Sequence, residues 1–263
     1  MAALLEVKNL SIEFYDRELP ERVVKDFDLI LQSGDRVGIV GESGSGKSMS
    51  ALAIAGLLNR HDMEKRGEIL FDGKNLLTLK RRELRQYQGK DIAIIFQEPM
   101  ISLNPVKKIG WQVEESLRLH TNLTKEECKK RAIDILTEVE IANPEEVYSM
   151  YPHELSGGMR QRVMIAAAMI CEPKILIADE PTTALDVTTQ EQIIELMKQL
   201  NEHKGTAILF ISHDLSLVET LCNQVIVMKD GEIVESGTTK EIFENPKQQY
   251  TKDLLAAIPV CNI

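Results

Sequence analysis

The chain has 263 residues, of which 43% are hydrophobic, and its formal net charge at pH 7 is −10. That length allows one large domain or two small ones with a sizeable core, and the acidic charge argues against nucleic-acid binding as the main task. No apolar run reaches the roughly 18 residues of a membrane span. We also expect no secretory signal, because the N-terminal stretch has no basic region followed by a long apolar one.

The four cysteines are scattered along the chain and show no spacing typical of a disulfide framework or a metal site. We therefore expect reduced, mostly buried thiols, as in a cytosolic protein. These residues are Cys128, Cys171, Cys222 and Cys261.

The chain opens with two stretches of alternating apolar residues, 4–14 and 23–31, which predict short strands. The charged segment between them, 15–22, contains a proline and predicts a turn. We therefore expect an antiparallel hairpin region, followed by a first parallel strand at the apolar run 36–40.

The sequence GESGSGKS at residues 41–48 is the phosphate-binding pattern G-x-x-x-x-G-K-[ST], between that strand and the helical stretch 50–58. Its glycines permit a tight turn that directs backbone N–H groups at a phosphate, and the helix start adds a partial positive charge. Lys47 can reach the outer phosphates, and the Ser48 hydroxyl can hold Mg²⁺. An accidental glycine-rich turn would lack this strand–loop–helix context. The expected nucleotide-binding residues here are Gly41, Glu42, Ser43, Gly44, Ser45, Gly46, Lys47, Ser48 and Met49.

Three further elements are predicted after the phosphate loop. Residues 67–77 have the pattern of a short strand and turn, and residues 80–88 that of a charged helix. The uninterrupted apolar run 92–96 is typical of a strand buried on both faces, and it ends at Gln97.

Residues 109–172 change character, because apolar residues recur there at helical spacing and no strand-like run interrupts them. Thr124, followed three residues later by Glu127, has the sequence of a capping box. We interpret this region as a helical subdomain inserted into an α/β core. The predicted division is a core of residues 1–97 and 173–237, a helical subdomain of about 98–172 and a helical tail of 238–263.

The core pattern resumes with the apolar run 174–179, which predicts a buried strand that ends in two acids. Asp179, at the strand end, can hold Mg²⁺ directly or through water. Glu180 points elsewhere and can orient and polarise an attacking water. The alternative is two solvated acids that open a loop, and the phosphate-binding pattern upstream favours the functional interpretation. The elements predicted next are a helix at 188–202, a strand at 206–211 and a hairpin at 224–237 with its turn at Asp230-Gly231.

The stretch LSGGMRQR, residues 155–162, lies where the helical region returns to the core. Ser156 is a good N-cap residue, and Gly157 and Gly158 would let a phosphate approach the helix N-terminus. Taken alone, the same residues also describe an ordinary helix start.

These motifs, in this order, resemble those of the nucleotide-binding subunit of ABC transporters, and the resemblance extends from about residue 4 to residue 259. GESGSGKS resembles the Walker A motif, LSGGMRQR the signature motif and ILIADE the Walker B motif. Gln97 falls where the family has its Q-loop glutamine. Thr183–Asp186 resembles the D-loop, and His213 resembles the switch histidine. Each motif is weak alone, whereas all of them in the family's order are very specific.

The resemblance implies a fold and a reaction. The fold is α/β, a P-loop NTPase (ABC ATPase) core with an N-terminal antiparallel β region and an inserted α-helical subdomain. The cofactors are ATP and Mg²⁺, and the reaction is ATP hydrolysis coupled to transport. Family members work as head-to-tail pairs, in which the signature motif of one subunit closes on the ATP held by the Walker A motif of the other.

The resemblance also implies roles for individual residues. Glu180 would be the catalytic base, His213 would hold the γ-phosphate, and Lys47 would stabilise charge on the phosphates. The residues expected to contact the γ-phosphate across the dimer are Ser156, Gly157 and Gly158. The implied Mg²⁺ ligands are Ser48, Gln97 and Asp179. Gln97 would also sense the membrane partner, and Asp186 of the D-loop joins the nucleotide-binding residues.

The family stacks the adenine ring on an aromatic side chain. Phe14 stands where that aromatic residue is expected, and the neighbouring Tyr15 could do the same job. The alternative for Phe14 is a core residue on an amphipathic strand.

One departure concerns the signature motif, which has Met159 where most members have glutamine, although the serine and both glycines remain. The variant LSGGMRQRVMIA resembles the branch of importers for oligopeptides, dipeptides and nickel, as do the stretches 89–105, 178–190 and 248–259. Many members of that branch continue with a cysteine cluster that resembles an iron–sulfur site. Because only Cys261 follows here, we expect no such cluster.

The resemblance implies that the chain energises an importer for peptides or nickel, or for a metal chelate. The expected partners are integral membrane permease subunits, a second ABC ATPase (a related chain or another copy) and, indirectly, an extracytoplasmic solute-binding protein, with no nucleic acid. The expected location is the cytoplasmic face of the cell membrane. The surface that faces the permease is expected near Gln97 and Met100–Val113, which includes Trp111, although core packing explains that stretch equally well.

Other functions fit the sequence less well. A soluble ABC ATPase that acts on nucleic acid or ribosomes usually carries coiled-coil insertions, zinc modules or a second cassette, and this chain has none of them. A degenerate regulatory cassette would lack Glu180, His213 or a signature glycine. A P-loop phosphotransferase would leave the signature motif and the D-loop without a function.

Overall fold

The computed structural model describes residues 3–15, 20–97, 102–183 and 185–257. The chain forms two compact units, one made of Met1–Leu84 with Ala207–Ile263 and the other of Arg85–Thr206. The predicted division at residues 97 and 173, with a separate tail, stays a prediction. In the described part of the chain, no helix is both long enough and apolar enough to cross a membrane.

The first unit contains an antiparallel sheet of the strands β1 (Leu5–Phe14), β2 (Glu21–Leu31), β4 (Met63–Phe71) and β5 (Lys74–Asn75). Their order in the sheet is β2-β1-β4-β5. The predicted hairpin of β1 and β2 is confirmed, and β1 is one strand with a bulge at Asn9, where φ is 47°. Strand β4 begins four residues before the predicted strand, because its first residue pairs with the last residue of β1.

The same unit contains parallel strands around β3 (Arg36–Val40). Its neighbours β8 (Ala207–Ile211) and β9 (Gln224–Lys229) both run parallel to it, and β10 (Glu232–Thr238) pairs antiparallel with β9. All five residues of β8 are buried, which explains its uninterrupted apolar sequence. The predicted hairpin turn is confirmed, with left-handed backbone at Asp230 and Gly231.

The helices of the first unit are α1 (Lys47–Ile54), α2 (Arg81–Leu84), α9 (Leu215–Leu221), α10 (Thr239–Glu244) and α11 (Gln249–Ala256), with a 3₁₀ turn at Leu76–Thr78. The predicted bounds of α1 are wrong, because left-handed Gly46 caps its start and left-handed Gly56 follows its end. Helix α2 is shorter than predicted, and none of its residues is buried, so little tertiary packing favours a longer helix.

The second unit contains a parallel pair of strands, β6 (Ile92–Ile95) and β7 (Ile175–Asp179). Its helices are α3 (Ile109–Val113), α4 (Glu115–His120), α5 (Lys125–Glu138), α6 (Pro144–Ser149), α7 (Gly157–Met169) and α8 (Val187–Lys204), with a 3₁₀ turn at Pro152–Glu154. The prediction that β6 includes Phe96 is wrong, since that residue follows the strand and is 43% exposed.

The helical character predicted for residues 109–172 is confirmed, and residues 102–172 form no strand. The capping box at Thr124 and Glu127 is present at the start of α5. Helices α3 and α6 pack closely, because a Cβ added at Gly110 would lie 2.3 Å from the Tyr148 ring. Cys128 and Cys222 are buried free thiols, Cys171 is half-buried and free, and Cys261 lies outside the described residues.

Candidate functional site

The phosphate loop joins β3 to α1 and needs glycine at specific positions. Gly41, Gly44 and Gly46 have φ values of +147°, +84° and +97°. A Cβ at Gly41 would lie 2.1 Å from the carbonyl oxygen of Met228, and a Cβ at Gly46 would lie 2.6 Å from that of Val23. The loop is therefore packed against β2 and β9, and glycine allows both the conformation and the close approach.

The carbonyl oxygens of Gly41 and Glu42 accept the hydrogen bonds that close this loop. Lys47, whose side chain is buried, donates from Nζ to the carbonyl oxygens of Gly41 and Glu42, both at 2.8 Å. The Ser45 N–H also donates to the Glu42 carbonyl oxygen, at 3.2 Å. The loop therefore turns back on itself and holds one buried ammonium. A cradle that excludes Cβ atoms and carries such a charge fits the phosphates of a nucleotide.

Two contacts from the C-terminal part of the chain support the loop from outside. The Gly231 N–H, in the β9–β10 turn, donates to the Ser45 carbonyl oxygen at 3.2 Å. The Glu42 N–H donates to Tyr250 Oη of helix α11 at 3.1 Å. Sequence reasoning missed both contacts, because no local pattern marks a residue that supports a loop about 200 positions away in the chain.

The end of β8 lies beside the start of the phosphate loop. In the parallel register of β3 and β8, Ile39 pairs with Ile211. Gly41 and His213 each come two residues later, so the loop and the predicted switch histidine begin at the same edge of the sheet. The His213 side chain is exposed, and the next residue, Asp214, caps α9 by accepting the Ser216 N–H.

In the second unit, too, two predicted site residues follow paired positions of neighbouring parallel strands and lie together. Ile95 of β6 pairs with Ala178 of β7, and Gln97 and Glu180 each follow two residues later. Gln97 Nε2 donates to Glu180 Oε2 at 2.8 Å, and the Thr183 hydroxyl donates to the same oxygen at 3.1 Å. Glu180 has a left-handed backbone, with φ at 48°, directly after buried Asp179. The carboxylate predicted as a base is thus held in a fixed position by two donors.

The signature stretch begins helix α7 as predicted. Ser156 is the N-cap, and its hydroxyl accepts the Met159 N–H at 3.3 Å. Ser156 and Gly157 are exposed, whereas a Cβ at Gly158 would lie 3.0 Å from the Thr189 methyl carbon of helix α8. An exposed helix start without a side chain at its first residue is open to a phosphate.

The D-loop leads into helix α8. The Asp186 carboxylate caps that helix by accepting the Thr189 hydroxyl at 2.7 Å and the Thr189 N–H at 3.0 Å. These two hydrogen bonds hold the pKa of Asp186 below its usual value. Asp186 therefore has a structural role in the described chain, and Ala184 lies outside the described residues.

The two candidates for adenine stacking lie at the end of β1. Phe14 is half-buried, and the Arg60 guanidinium lies 5.0 Å from its ring centroid. Tyr15 is 45% exposed, and its hydroxyl donates to the carboxylates of Glu64 and Glu13, each at 2.9 Å. Those hydrogen bonds raise the pKa of Tyr15 to about 12. One face of the Phe14 ring makes a cation–π contact with the planar Arg60 guanidinium.

A phosphate loop between a parallel strand and a helix, with a fixed carboxylate at the end of another parallel strand, defines a P-loop nucleotide-binding protein. Comparison with known proteins narrows this class. The sequence profile of the family described as ABC transporter matches residues 24–183. The chain therefore belongs to the ABC transporter family, and the predicted fold class, ATP hydrolase class and cofactors ATP and Mg²⁺ are confirmed at the level of that family.

Two curated relatives match nearly the whole chain. The dipeptide transport ATP-binding protein DppD of Haemophilus influenzae is 48% identical over 257 residues, which cover 98% of this chain and 78% of that protein. The oligopeptide transport ATP-binding protein OppD of Bacillus subtilis is 50% identical, with 97% and 72% covered. Among solved structures, a dimeric post-hydrolysis state of the ATP-binding cassette MJ0796, bound to ADP and Pi, is 31% identical with a TM-score of 0.80, and the match covers 89% of this chain and 98% of that one.

Proposed function

We propose that this chain is the ATP-binding and ATP-hydrolysing subunit of an ABC importer for peptides. The observation that carries the proposal is the match to two proteins named for dipeptide and oligopeptide transport, which are 48% and 50% identical over nearly the full length of this chain. Peptides are the substrate class that these names support. Nickel or a metal chelate, the other substrates predicted from the sequence, has no such support among the relatives reported above.

In the proposed reaction, the phosphate loop binds the phosphates of ATP. The Lys47 ammonium exchanges the carbonyls of Gly41 and Glu42 for phosphate oxygens, so that its buried charge faces the negative charge of the nucleotide. The Ser48 hydroxyl, Gln97 and Asp179 are the proposed Mg²⁺ ligands, and a bound Mg²⁺ supplies further neutralisation of phosphate charge. The donor set of hydroxyl, amide and carboxylate oxygens suits that cation.

Glu180 is the proposed general base for the attacking water. The hydrogen bonds from Gln97 and Thr183 fix the position of its carboxylate, as a base that must face an attacking water requires. His213 is proposed to hold the γ-phosphate. Phe14 is the proposed residue that stacks on adenine. Tyr15, whose hydroxyl is hydrogen-bonded to Glu13 and Glu64, is the alternative for the same role.

The proposed partners are a second ATPase subunit and the membrane permease, with a solute-binding protein reached through the permease. The residues proposed to contact ATP across the dimer are Ser156, Gly157 and Gly158, and Asp186 is proposed as a further nucleotide-binding residue. The proposed location is the cytoplasmic face of the membrane. Support for the permease surface comes from Val106 and Trp111, which are 75% and 42% exposed, whereas Ile109 and Val113 of the same stretch are buried in the second unit. Met100 lies outside the described residues.

The test of the ATPase uses Glu180→Gln, which keeps the side-chain shape and removes the base. We expect kcat to fall at least about a hundredfold while ATP binding is retained, since general bases contribute that much or more. The matched control is Glu195→Gln on helix α8, an exposed carboxylate that accepts only a Gln199 hydrogen bond within its own helix among the described contacts. Equal turnover of Glu180→Gln and wild type would show that Glu180 is not the base.

The test of substrate class uses cells without this chain, complemented with wild type or with Glu180→Gln. We expect uptake of a labelled dipeptide only with the wild type. Restoration of nickel uptake alone would contradict the peptide assignment. ATPase activity stimulated by RNA or DNA and not by permease vesicles would instead favour the alternative, a soluble ABC ATPase.

A further inference from the structure

We propose that Tyr250, on the C-terminal helix α11, is a positioning residue for the phosphate loop. This inference rests on the proposed ATPase function of that loop. The hydroxyl of Tyr250 accepts the Glu42 N–H at 3.1 Å, across 208 positions of sequence. Tyr250 therefore acts on the phosphate-binding loop through the Glu42 N–H, and its proposed role does not require it to touch the reacting atoms.

The peptide group between Gly41 and Glu42 is held from both sides. Its carbonyl oxygen, that of Gly41, accepts Lys47 Nζ at 2.8 Å, and its N–H, that of Glu42, donates to Tyr250 Oη at 3.1 Å. A peptide group is planar, so its N–H and its carbonyl turn together. The Tyr250 hydroxyl thereby fixes the direction of the Gly41 carbonyl that holds Lys47. The next carbonyl, that of Glu42, accepts the same ammonium at 2.8 Å and the Ser45 N–H at 3.2 Å.

The helix that carries Tyr250 is itself anchored. The Glu235 carboxylate of β10 accepts the N–H groups of Lys247 and Gln248, at 2.8 and 3.1 Å, just before α11 begins. The Lys229 ammonium of β9 lies 4.7 Å from the Tyr250 ring centroid. The same strand, β9, provides the Met228 carbonyl that packs against Gly41. The tail and the loop are thus fixed to a common frame within the first unit.

The consequence is an effect on nucleotide binding more than on the chemical step. Without the hydroxyl, the Glu42 N–H exchanges a fixed partner for water, and the Gly41–Glu42 peptide must be ordered when phosphate binds. A single hydrogen bond of this kind contributes enough to change an equilibrium roughly two- to tenfold. We therefore expect Tyr250→Phe to raise the KM for ATP and the Kd for ADP by that factor, with kcat within a factor of two of the wild type.

The experiment compares Tyr250→Phe with Asp253→Asn, a change on the same helix at an exposed residue that accepts a hydrogen bond from Gln249. Amide hydrogen exchange at Glu42, measured without nucleotide, reports the lost hydrogen bond directly. We expect faster exchange at Glu42 in Tyr250→Phe and wild-type exchange in Asp253→Asn. If Tyr250→Phe does not fold, Glu235→Gln, which loosens the anchor of α11, should give the same changes at reduced size.

Wild-type exchange at Glu42 in both Tyr250→Phe and Glu235→Gln, or an unchanged KM for ATP, would overturn the role of Tyr250. Lys47→Ala tests the proposed function separately. If Lys47→Ala hydrolyses ATP like the wild type, the proposed function is wrong. If Lys47→Ala is inactive and Tyr250→Phe keeps the wild-type KM, only the inference about Tyr250 fails.

Discussion

Replacement of Gly46 by alanine should destabilise the protein through two separable causes. The first is backbone strain, because Gly46 has φ at +97° and an L-residue in the left-handed region costs about 1–2 kcal/mol. The second is a collision, because the new Cβ would lie 2.6 Å from the carbonyl oxygen of Val23. Forced contacts of this kind cost about 1–3 kcal/mol, so the expected total loss is about 2–5 kcal/mol.

The same loop offers a control for the strain alone. Gly44 has φ at +84°, and a Cβ there would meet nothing within 4 Å. Gly44→Ala should therefore cost only about 1–2 kcal/mol. Gly34, in the turn before β3, has φ at +79° and the same open space, so Gly34→Ala should cost as much as Gly44→Ala.

Urea unfolding measures the loss in free energy of unfolding for the three variants. Calorimetric measurement of ATP binding then distinguishes substitutions in the phosphate loop from the one in the distant turn at Gly34. Gly44→Ala should weaken ATP binding several-fold, because a phosphate approaches the loop backbone closely, whereas Gly34→Ala should bind ATP like the wild type. If Gly46→Ala is no less stable than Gly44→Ala, the packing of the loop against β2 is not the constraint inferred from the structure.

Three further outcomes are expected. Gln97→Leu removes a donor to Glu180 and should lower kcat about five- to tenfold at saturating Mg²⁺; an unchanged kcat would exclude a role of that hydrogen bond in turnover. The Thr124 N–H and hydroxyl lower the pKa of Glu127 below 4.5, so the contribution of Glu127 to stability is present above that pH and is lost as the pH falls through the lowered pKa. In urea unfolding, Glu127→Gln should therefore have a lower free energy of unfolding than the wild type at pH 7, and the difference should vanish in that acid range. Burial raises the pKa of Cys171 from 9.0 to about 11, so alkylation of the native thiol at pH 8, followed by mass spectrometry, should be about a hundredfold slower than in the unfolded chain.

The strands were the most predictable part of the fold. Runs such as 174–179 and 206–211 contain little but apolar residues, and a strand buried on both faces requires that composition. Helix bounds were less predictable, since α1 begins after left-handed Gly46, ahead of the apolar stretch, and ends before left-handed Gly56, within a stretch that continues to Leu58. The end of strand β6 was equally hard to predict. Phe96 is hydrophobic but follows the strand, and hydrophobicity alone does not reveal where the hydrogen bonds between two strands end.

The phosphate loop was predictable because its chemistry is local. A tight turn, a lysine and a hydroxyl must follow one another within eight residues, and that spacing is visible in the sequence. The partners of the loop were not predictable. Tyr250 and Gly231 contact the loop only after β9, β10 and α11 have packed in the first unit, and a single sequence does not encode such long-range contacts in any local pattern.

Strand register gives the physical reason why scattered site residues are spaced as they are. Parallel strands advance in step, so residues equally far beyond a paired position lie side by side. In the first unit the pair Ile39 and Ile211 places Gly41 beside His213 in this sense, and in the second unit the pair Ile95 and Ala178 does the same for Gln97 and Glu180. In the second unit a direct hydrogen bond of 2.8 Å follows from that register. Chemistry at the carboxyl ends of parallel strands thus needs only a two-residue extension of each strand, and the two units of this chain use the same extension.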